Sequence, residues 1–271
     1  MTTNSSGSGP DRRSSSRWTR GLAGAATALA LSAGPALAQG TPAASSPWSF
    51  SITPYLWVSG IGGTVQSIDR AVPAQSISAS FGDVMSHLNG MPFMGAAEAR
   101  YDRFGLAMDL MYVSARSSFD TRTALHAGGS ARVSQVIGSG LLTYRAYQSV
   151  EQNLDLGVGF RAFGLGGKLT LNPGLAPGRE RSPSQSWANP IFAVRYHARL
   201  AEAWGATLYG DVGGTGSGNF TWQLFGTIDY SLTESITLRA GYRHLQFQFN
   251  GDRVRQNMSM SGPIIGATFR F

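Results

Sequence analysis

Leu154-Asp155-Leu156-Gly157-Val158-Gly159-Phe160-Arg161-Ala162 decides the fold, because apolar residues fall on every second position and the positions between them hold Asp, Gly and Arg. A period of two places successive side chains on opposite faces of an extended strand, whereas a helix would need a period near 3.6. The same two-row pattern recurs downstream. Pro190, Phe192, Val194, Tyr196, Ala198 and Leu200 alternate with Asn189, Ala193, Arg195, His197 and Arg199. It runs on through Trp204, Ala206, Leu208, Gly210 and Val212 against Thr207, Tyr209 and Asp211, and through Phe220 to Tyr230 against Thr221, Gln223, Thr227 and Asp229. Segments of this length are long, half-buried strands.

The connections also alternate. Short turns fall at Asp102-Arg103, Gln148 to Asn153, Ala201-Glu202 and Thr233-Glu234. Longer or Gly/Pro-rich ones fall at Phe119 to Gly129, Leu171 to Ser186, Gly214 to Asn219 and Asn250 to Gln256. Short turns on one side and long loops on the other are the layout of an up-and-down membrane barrel. Strands are expected at 49–60, 91–101, 104–117, 131–146, 153–170, 187–200, 203–214, 219–231, 235–249 and 258–271. The fold class is therefore all-β, a closed antiparallel transmembrane β-barrel of about ten strands, with eight or twelve as alternatives. Residues 61–90 form a long first outer loop, in which Gln75 to Phe81 could add strand and Gly82 to Leu88 a helical turn.

Of the 271 residues, 42% are hydrophobic and 14% charged, with Gly 35 and Pro 12, enough for one large all-β domain. With Cys 0, disulfides, thiolate metal sites and cysteine nucleophiles are excluded. The net charge of +7 hints at nucleic acid, but Arg12, Arg13, Arg17 and Arg20 cluster at the front with only Asp11 against them. Without these five residues 18 basic side chains face 14 acidic ones, and no nucleic-acid partner is expected. Behind the arginines an apolar run from Gly21 to Gly34 leads to Ala36-Leu37-Ala38. A basic start, a short apolar run and an A-x-A site make a secretory signal peptide over 1–38, cleaved between Ala38 and Gln39. Residues 39–48 then read as a linker and 49–271 as the barrel. The mature residues hold no apolar stretch long enough for a transmembrane helix, so membrane spanning requires a barrel.

Which face meets lipid follows from where charge and rings lie. The polar rows carry both signs: Glu98, Asp109, Asp155, Asp211 and Asp229 with Arg100, Arg161, Arg195, Arg199, Arg239, Arg243 and Arg270, joined by His197. Facing lipid at mid-depth such charges would cost about 2–4 kcal/mol each; facing inward they can pair across the lumen. The apolar rows carry aromatics at strand ends. Tyr101, Phe104, Trp204 and Tyr230 mark one membrane interface with Phe269 and Phe271, while Phe220 and Trp222 lie near the other. Ten strands filled with opposed charges predict a narrow or plugged lumen rather than an open pore. One strand changes phase, since Ile236, Leu238, Ala240 and Tyr242 are even but Leu245, Phe247 and Phe249 are odd. A bulge near Arg243-His244 would return the odd residues to the outer face.

Motifs for chemistry are sparse. Gly213-Gly214-Thr215-Gly216-Ser217-Gly218 lacks the Lys and the following helix of a phosphate loop and reads as a Gly-rich hairpin. His87, His126, His197 and His244 share no ligand spacing, so no metal or cofactor is expected. An outer-membrane hydrolase, protease or lipid-modifying, with its base among His87, His126 and His244 near Ser86 or Ser130, is the alternative function, although no Ser/His/acid set stands out and no catalytic residue is assigned.

Several motifs carry a resemblance: Trp187 with Asn189-Pro190, Gly210-Asp211-Val212-Gly213-Gly214, Trp222-Gln223 and Gly241-Tyr242-Arg243, together with Pro54-Tyr55-Leu56-Trp57 nearer the start. In these the chain resembles a large, largely uncharacterised family of proteobacterial outer-membrane β-barrel proteins. The resemblance implies a Gram-negative cell outer-membrane location and the barrel fold, and carries over no activity. On this reading the protein has a structural, small-solute or surface-interaction role, with outer-membrane lipid and lipopolysaccharide around it. The last residues, with Ile265, Ala267, Phe269 and Phe271 on one face, also resemble the terminal aromatic signal read by the barrel-assembly machinery. The oligomeric state is not legible.

Overall fold

The computed structural model describes residues 47–67, 74–120, 126–216, 218–251 and 254–271. The expected signal peptide and its cleavage site lie outside the described residues. Thirteen strands and one short helix account for most of the rest. They are β1 (Trp48–Trp57), β2 (Gly60–Ser67), β3 (Gln75–Ala79), α1 (Phe81–Ser86), β4 (Phe93–Tyr101), β5 (Phe104–Phe119), β6 (His126–Gln148) and β7 (Gln152–Pro173). There follow β8 (Arg179–Arg181), β9 (Ser184–Arg199), β10 (Trp204–Gly216), β11 (Asn219–Ser231), β12 (Ile236–Asn250) and β13 (Val254–Arg270).

Each long strand pairs antiparallel with its sequence neighbour, and β13 returns to pair with β1, from Ser51↔Arg270 to Trp57↔Ile264. The sheet is thereby a closed antiparallel barrel of ten strands, with β2, β3 and β8 as additions. Closure satisfies the edge groups that an open sheet would leave exposed. The first barrel strand is split. After Trp57 the chain steps over Val58-Ser59 and resumes as β2, which stays on β13 from Gly60↔Ser261 to Ser67↔Val254. Opposite the step stands Gly262, where a Cβ would run into the main chain of Val58 and Ser59. The 61–90 region supplies the hairpin β2–β3 and α1 rather than two more barrel strands, so the ring stays at ten.

The expected bulge at Arg243-His244 is absent. Pairing of β12 with β11 and β13 runs without a shift from Thr237 to Gln248. Leu245, Phe247 and Phe249 therefore point inward and are buried, because this barrel fills part of its interior with apolar side chains instead of keeping all of them outside.

The outer face is an apolar band, seen in Ile52, Leu106, Met108, Leu142, Val158, Phe192, Leu208, Leu224, Ile228 and Ile265, all exposed. At the short-turn end it is edged by ring pairs: Trp48–Tyr101 with centroids 5.1 Å apart, Phe104–Tyr144 at 5.3 Å and Trp204–Tyr230 at 4.8 Å. Such girdles flank the lipid-facing band of membrane barrels. Phe269 and Phe271 are exposed beside them. Toward the long-loop end, Trp222 packs on His244 at 4.7 Å and donates from Nε1 to Gln246 Oε1 at 3.1 Å.

Candidate functional site

Period-two alternation leaves one polar row per strand, and closure turns all ten rows toward a common axis. What stands in the lumen follows from how those rows meet. Nearest the short turns, Arg195 of β9 reaches across to Glu98 of β4, with Nη1 2.6 Å from Oε2 and Nη2 2.8 Å from Oε1. It also bonds Asp155 of β7 at 2.7 Å. Arg100 joins the same two carboxylates, 2.7 Å from Glu98 and 3.1 Å from Asp155. Arg145 of β6 completes the cluster at 2.8 Å from Asp155. Beside it, Asp229 accepts from Thr207 at 2.6 Å and Thr227 at 2.7 Å, and lies 3.7 Å from Arg239. His197 Nδ1 stands 3.0 Å from the Thr207 hydroxyl and 3.5 Å from Asp229.

Further toward the long loops the charges separate into single pairs. Arg161 and Asp211 form a two-bond fork at 2.5 and 2.8 Å with both side chains 0% exposed, and Arg161 also reaches Thr221 at 3.2 Å and Ser139 at 3.1 Å. Arg243 donates to Asp109 at 3.0 Å, to Gln223 at 2.7 Å and to the Tyr55 hydroxyl at 2.9 Å, while Tyr55 donates to Asp109 at 2.8 Å. The face of the Trp57 ring lies 4.8 Å from the Arg243 guanidinium carbon, a cation–π contact on the far side of the pair.

Trp57 also begins the next layer. It packs with Met111, Ile137, Phe163, Leu245, Phe247 and Met260 in one buried cluster to which Trp187 and Met94 are added. Phe163 stacks on Trp187 at 4.9 Å, and Trp187 meets Phe249 in a tilted contact at 4.5 Å. Eight of the ten barrel positions contribute to this apolar layer, which lies on the long-loop side of the ion pairs. Between the two charged regions is a cavity of about 180 Å³ beside Tyr209 and Phe225, stacked at 4.8 Å. Another of about 290 Å³, lined by Arg100, Arg145, Arg195, Arg239 and Arg270, lies nearer the short turns.

Two of the expected lumen residues stand apart from the carboxylates. Arg199 is exposed and donates to the main-chain oxygens of Ala201 and Glu202 in a short turn. Arg270 donates to the Thr237 hydroxyl at 2.9 Å. Sequence reasoning missed Arg145 and Tyr55, and put Thr207, Thr221 and Gln223 on the polar rows without naming them in the charge network. Tyr55 alternates with outward Leu56 and Pro54 and could have been found; Arg145 could not, since both rows of β6 carry large apolar residues, Ile137 and Leu141 on one and Val136 and Leu142 on the other.

The histidines are scattered. His244 faces outward, 2.6 Å from the Ser261 hydroxyl. His87 Nδ1 stands 2.9 Å from the Ser86 hydroxyl and 2.8 Å from the Asp83 main-chain oxygen, so no carboxylate orients it. The His126 side chain lies outside what is described. Among the described residues no group of three His, Cys, Asp or Glu side chains is placed to hold a metal ion.

No family model and no curated protein matches the chain. Among solved structures it is similar to the outer membrane protease OmpT from Escherichia coli, at a TM-score of 0.54 and 8% identity over 84% of this chain and 98% of that one. Likeness extends to the Pseudomonas putida toluene transporter TodX (TM-score 0.33, 10% identity, 83% and 92% covered). The attachment invasion locus protein Ail of Yersinia pestis is similar at a TM-score of 0.29 and 13% identity, with 83% and 99% covered. Such identities carry no residue role across, and what OmpT and this chain share is the closed antiparallel barrel fold.

Proposed function

We propose that this protein is an integral outer-membrane β-barrel whose lumen is shut, with a structural or surface-interaction role rather than that of a diffusion pore. The observation that carries the reading is the stacking of a fully buried Arg161–Asp211 pair beneath the apolar plug of Trp57, Phe163, Leu245 and Phe247. An ion crossing this stretch would lose its hydration with no replacement ligands in the plug. The apolar band and its ring girdle support residence among outer-membrane lipid and lipopolysaccharide, with the short turns on the periplasmic side. On the same reading residues 1–38 direct export, and the barrel-assembly machinery engages β13.

Planar-bilayer recording tests closure: the purified barrel passes currents far below those of a general porin, and large steady single-channel currents would remove the proposal. Residence is tested by fractionation and by gel mobility before and after boiling, where a folded barrel shifts. Leu156→Arg and Val194→Arg, on adjacent lipid-facing positions, cost about 2–4 kcal/mol each at mid-depth and depress assembly; unchanged assembly in both contradicts membrane spanning.

A further inference from the structure

Going up the wall from the short turns, the ladder between β1 and β4 ends at Pro54↔Gly95. Pro54 has no N–H to give, and the next residues of β1, Tyr55 to Trp57, pair with β13 on their other side. In place of a ladder bond, the Trp57 N–H meets Met94 Sδ at 3.3 Å. The wall is made good further out by a different device. Residues 87–89, just after α1, bond to β5 through Asn89 N–H to Ser114 O and Arg116 N–H to His87 O, both 2.8 Å. Between the end of one ladder and the start of the other is a cavity of about 320 Å³, lined by Trp57, Ile61, Phe81, Val84, Met94 and Val113. Its floor is the plug, since Trp57 and Met260 belong to both. Leu56, whose side chain is on the outer face of β1, forms part of its rim.

Depth decides what such a space holds. Trp48 sits in the lower ring girdle and Leu56 eight residues further along the same face. At about 3.3 Å per residue and a tilt near 40° that is about 20 Å up a lipid-facing band about 25 Å tall. The rim thus lies at the level of the outer leaflet. A space of this size lined mostly by apolar side chains, with Ser59, Asp83, His87 and Gln135 the polar ones among them, has few partners for water, and Leu56 at its rim faces hydrocarbon.

We propose that this cavity is a lateral site for one aliphatic chain of an outer-leaflet lipid, entering between Leu56 and Pro92 and ending against Trp57. The site rests on the outer-membrane reading above.

The test places the mature chain in nanodiscs whose phospholipids carry brominated acyl chains and reads tryptophan quenching in single-tryptophan variants, the others replaced by Phe. Trp222 alone reports a lipid-facing ring and Trp187 alone an interior one. Trp57 is expected to be quenched like Trp222 and several-fold more than Trp187, and Ala115→Phe, which fills the cavity, returns it to the Trp187 level. If Trp222 is quenched and Trp57 matches Trp187, the lateral site falls and the membrane reading stands. If Trp222 is not quenched, both fall. Brominated stearate added to unbrominated nanodiscs separates the source: quenching by the free acid alone overturns the lipid assignment. Should the single-tryptophan chains fail to fold, the wild-type chain and Ala115→Phe are compared directly, and equal total quenching overturns the proposal.

Discussion

The two halves of the lumen solve the same electrostatic problem differently. Toward the long loops two arginines, Arg161 and Arg243, meet two carboxylates, Asp211 and Asp109, and the guanidiniums are almost wholly buried. Toward the short turns Arg100, Arg145, Arg195 and Arg239 face Glu98, Asp155 and Asp229, with Arg199 and Arg270 beyond, so cations exceed acids. The outer half is the drier one for its arginine side chains, 0% exposed in Arg161 and 3% in Arg243, and a cation so buried is tolerated only with an opposite charge and its hydrogen bonds supplied by protein. The inner half lines a cavity of about 290 Å³, and the side chains of Arg100, Arg145, Arg195 and Arg239 are 10% to 26% exposed. Charge balance among these arginines tracks their exposure.

The contrast can be broken most sharply at Asp211. Asp211→Ala strands Arg161 without a counter-charge in the dry half and costs about 3–5 kcal/mol, read as a lowered urea midpoint of the refolded barrel. Arg161→Met combined with Asp211→Leu costs less than either single change, since no buried charge remains. Next comes the plug: Leu245→Ala removes a side chain 0% exposed and costs about 2–5 kcal/mol, with a rise in bilayer conductance if the plug is what shuts the lumen. In the wet half, Arg270→Gln costs no more than about 0.5 kcal/mol in the same urea titration; a loss as large as that of Asp211→Ala would erase the distinction between the halves.

A smaller effect lies outside the lumen, on α1. The Ser80 hydroxyl and main-chain N–H both bond Asp83, and the Asp83 N–H returns a bond to Ser80, so the carboxyl is held below its ordinary 3.8. The stabilisation from a depressed carboxyl is complete above its unfolded value and is lost as pH falls through the lower folded one. The protection factors of the α1 amides are therefore unchanged from neutral pH to the onset of carboxylate titration and fall below it. Ser80→Ala removes most of that pH dependence.

The strands and inward polar rows were legible because period two and charge sorting report the same face independently. Arg195 and Asp155 could be placed in the lumen from sequence alone. Their partners could not: Arg161 and Asp211 are 50 residues apart, and which inward residues meet depends on strand stagger, which alternation does not encode. The misreading of β12 has a physical cause as well. Hydrophobicity reports distance from water, and Leu245 and Phe247 are as well removed from it in a buried apolar cluster as they would be against lipid, so a phase change in the pattern reads as a bulge in the backbone. Arg145 was lost for a related reason, since Ile137 and Leu141 are apolar on the inner row of β6 while Val136 and Leu142 are apolar on the outer one.

The split first strand has a consequence for how the molecule forms. The seam joins partners such as Thr53 and Thr268, whose hydroxyls lie 2.8 Å apart across 215 residues of chain. Contacts so distant in sequence make for slow folding. Because β13 must zip onto β1 below the Val58-Ser59 step and onto β2 above it, the seam has two segments that can close at different times. A barrel joined along only one segment would keep part of an unpaired edge, making the step at Gly262 the place where a half-finished assembly is most exposed to pairing with a neighbour.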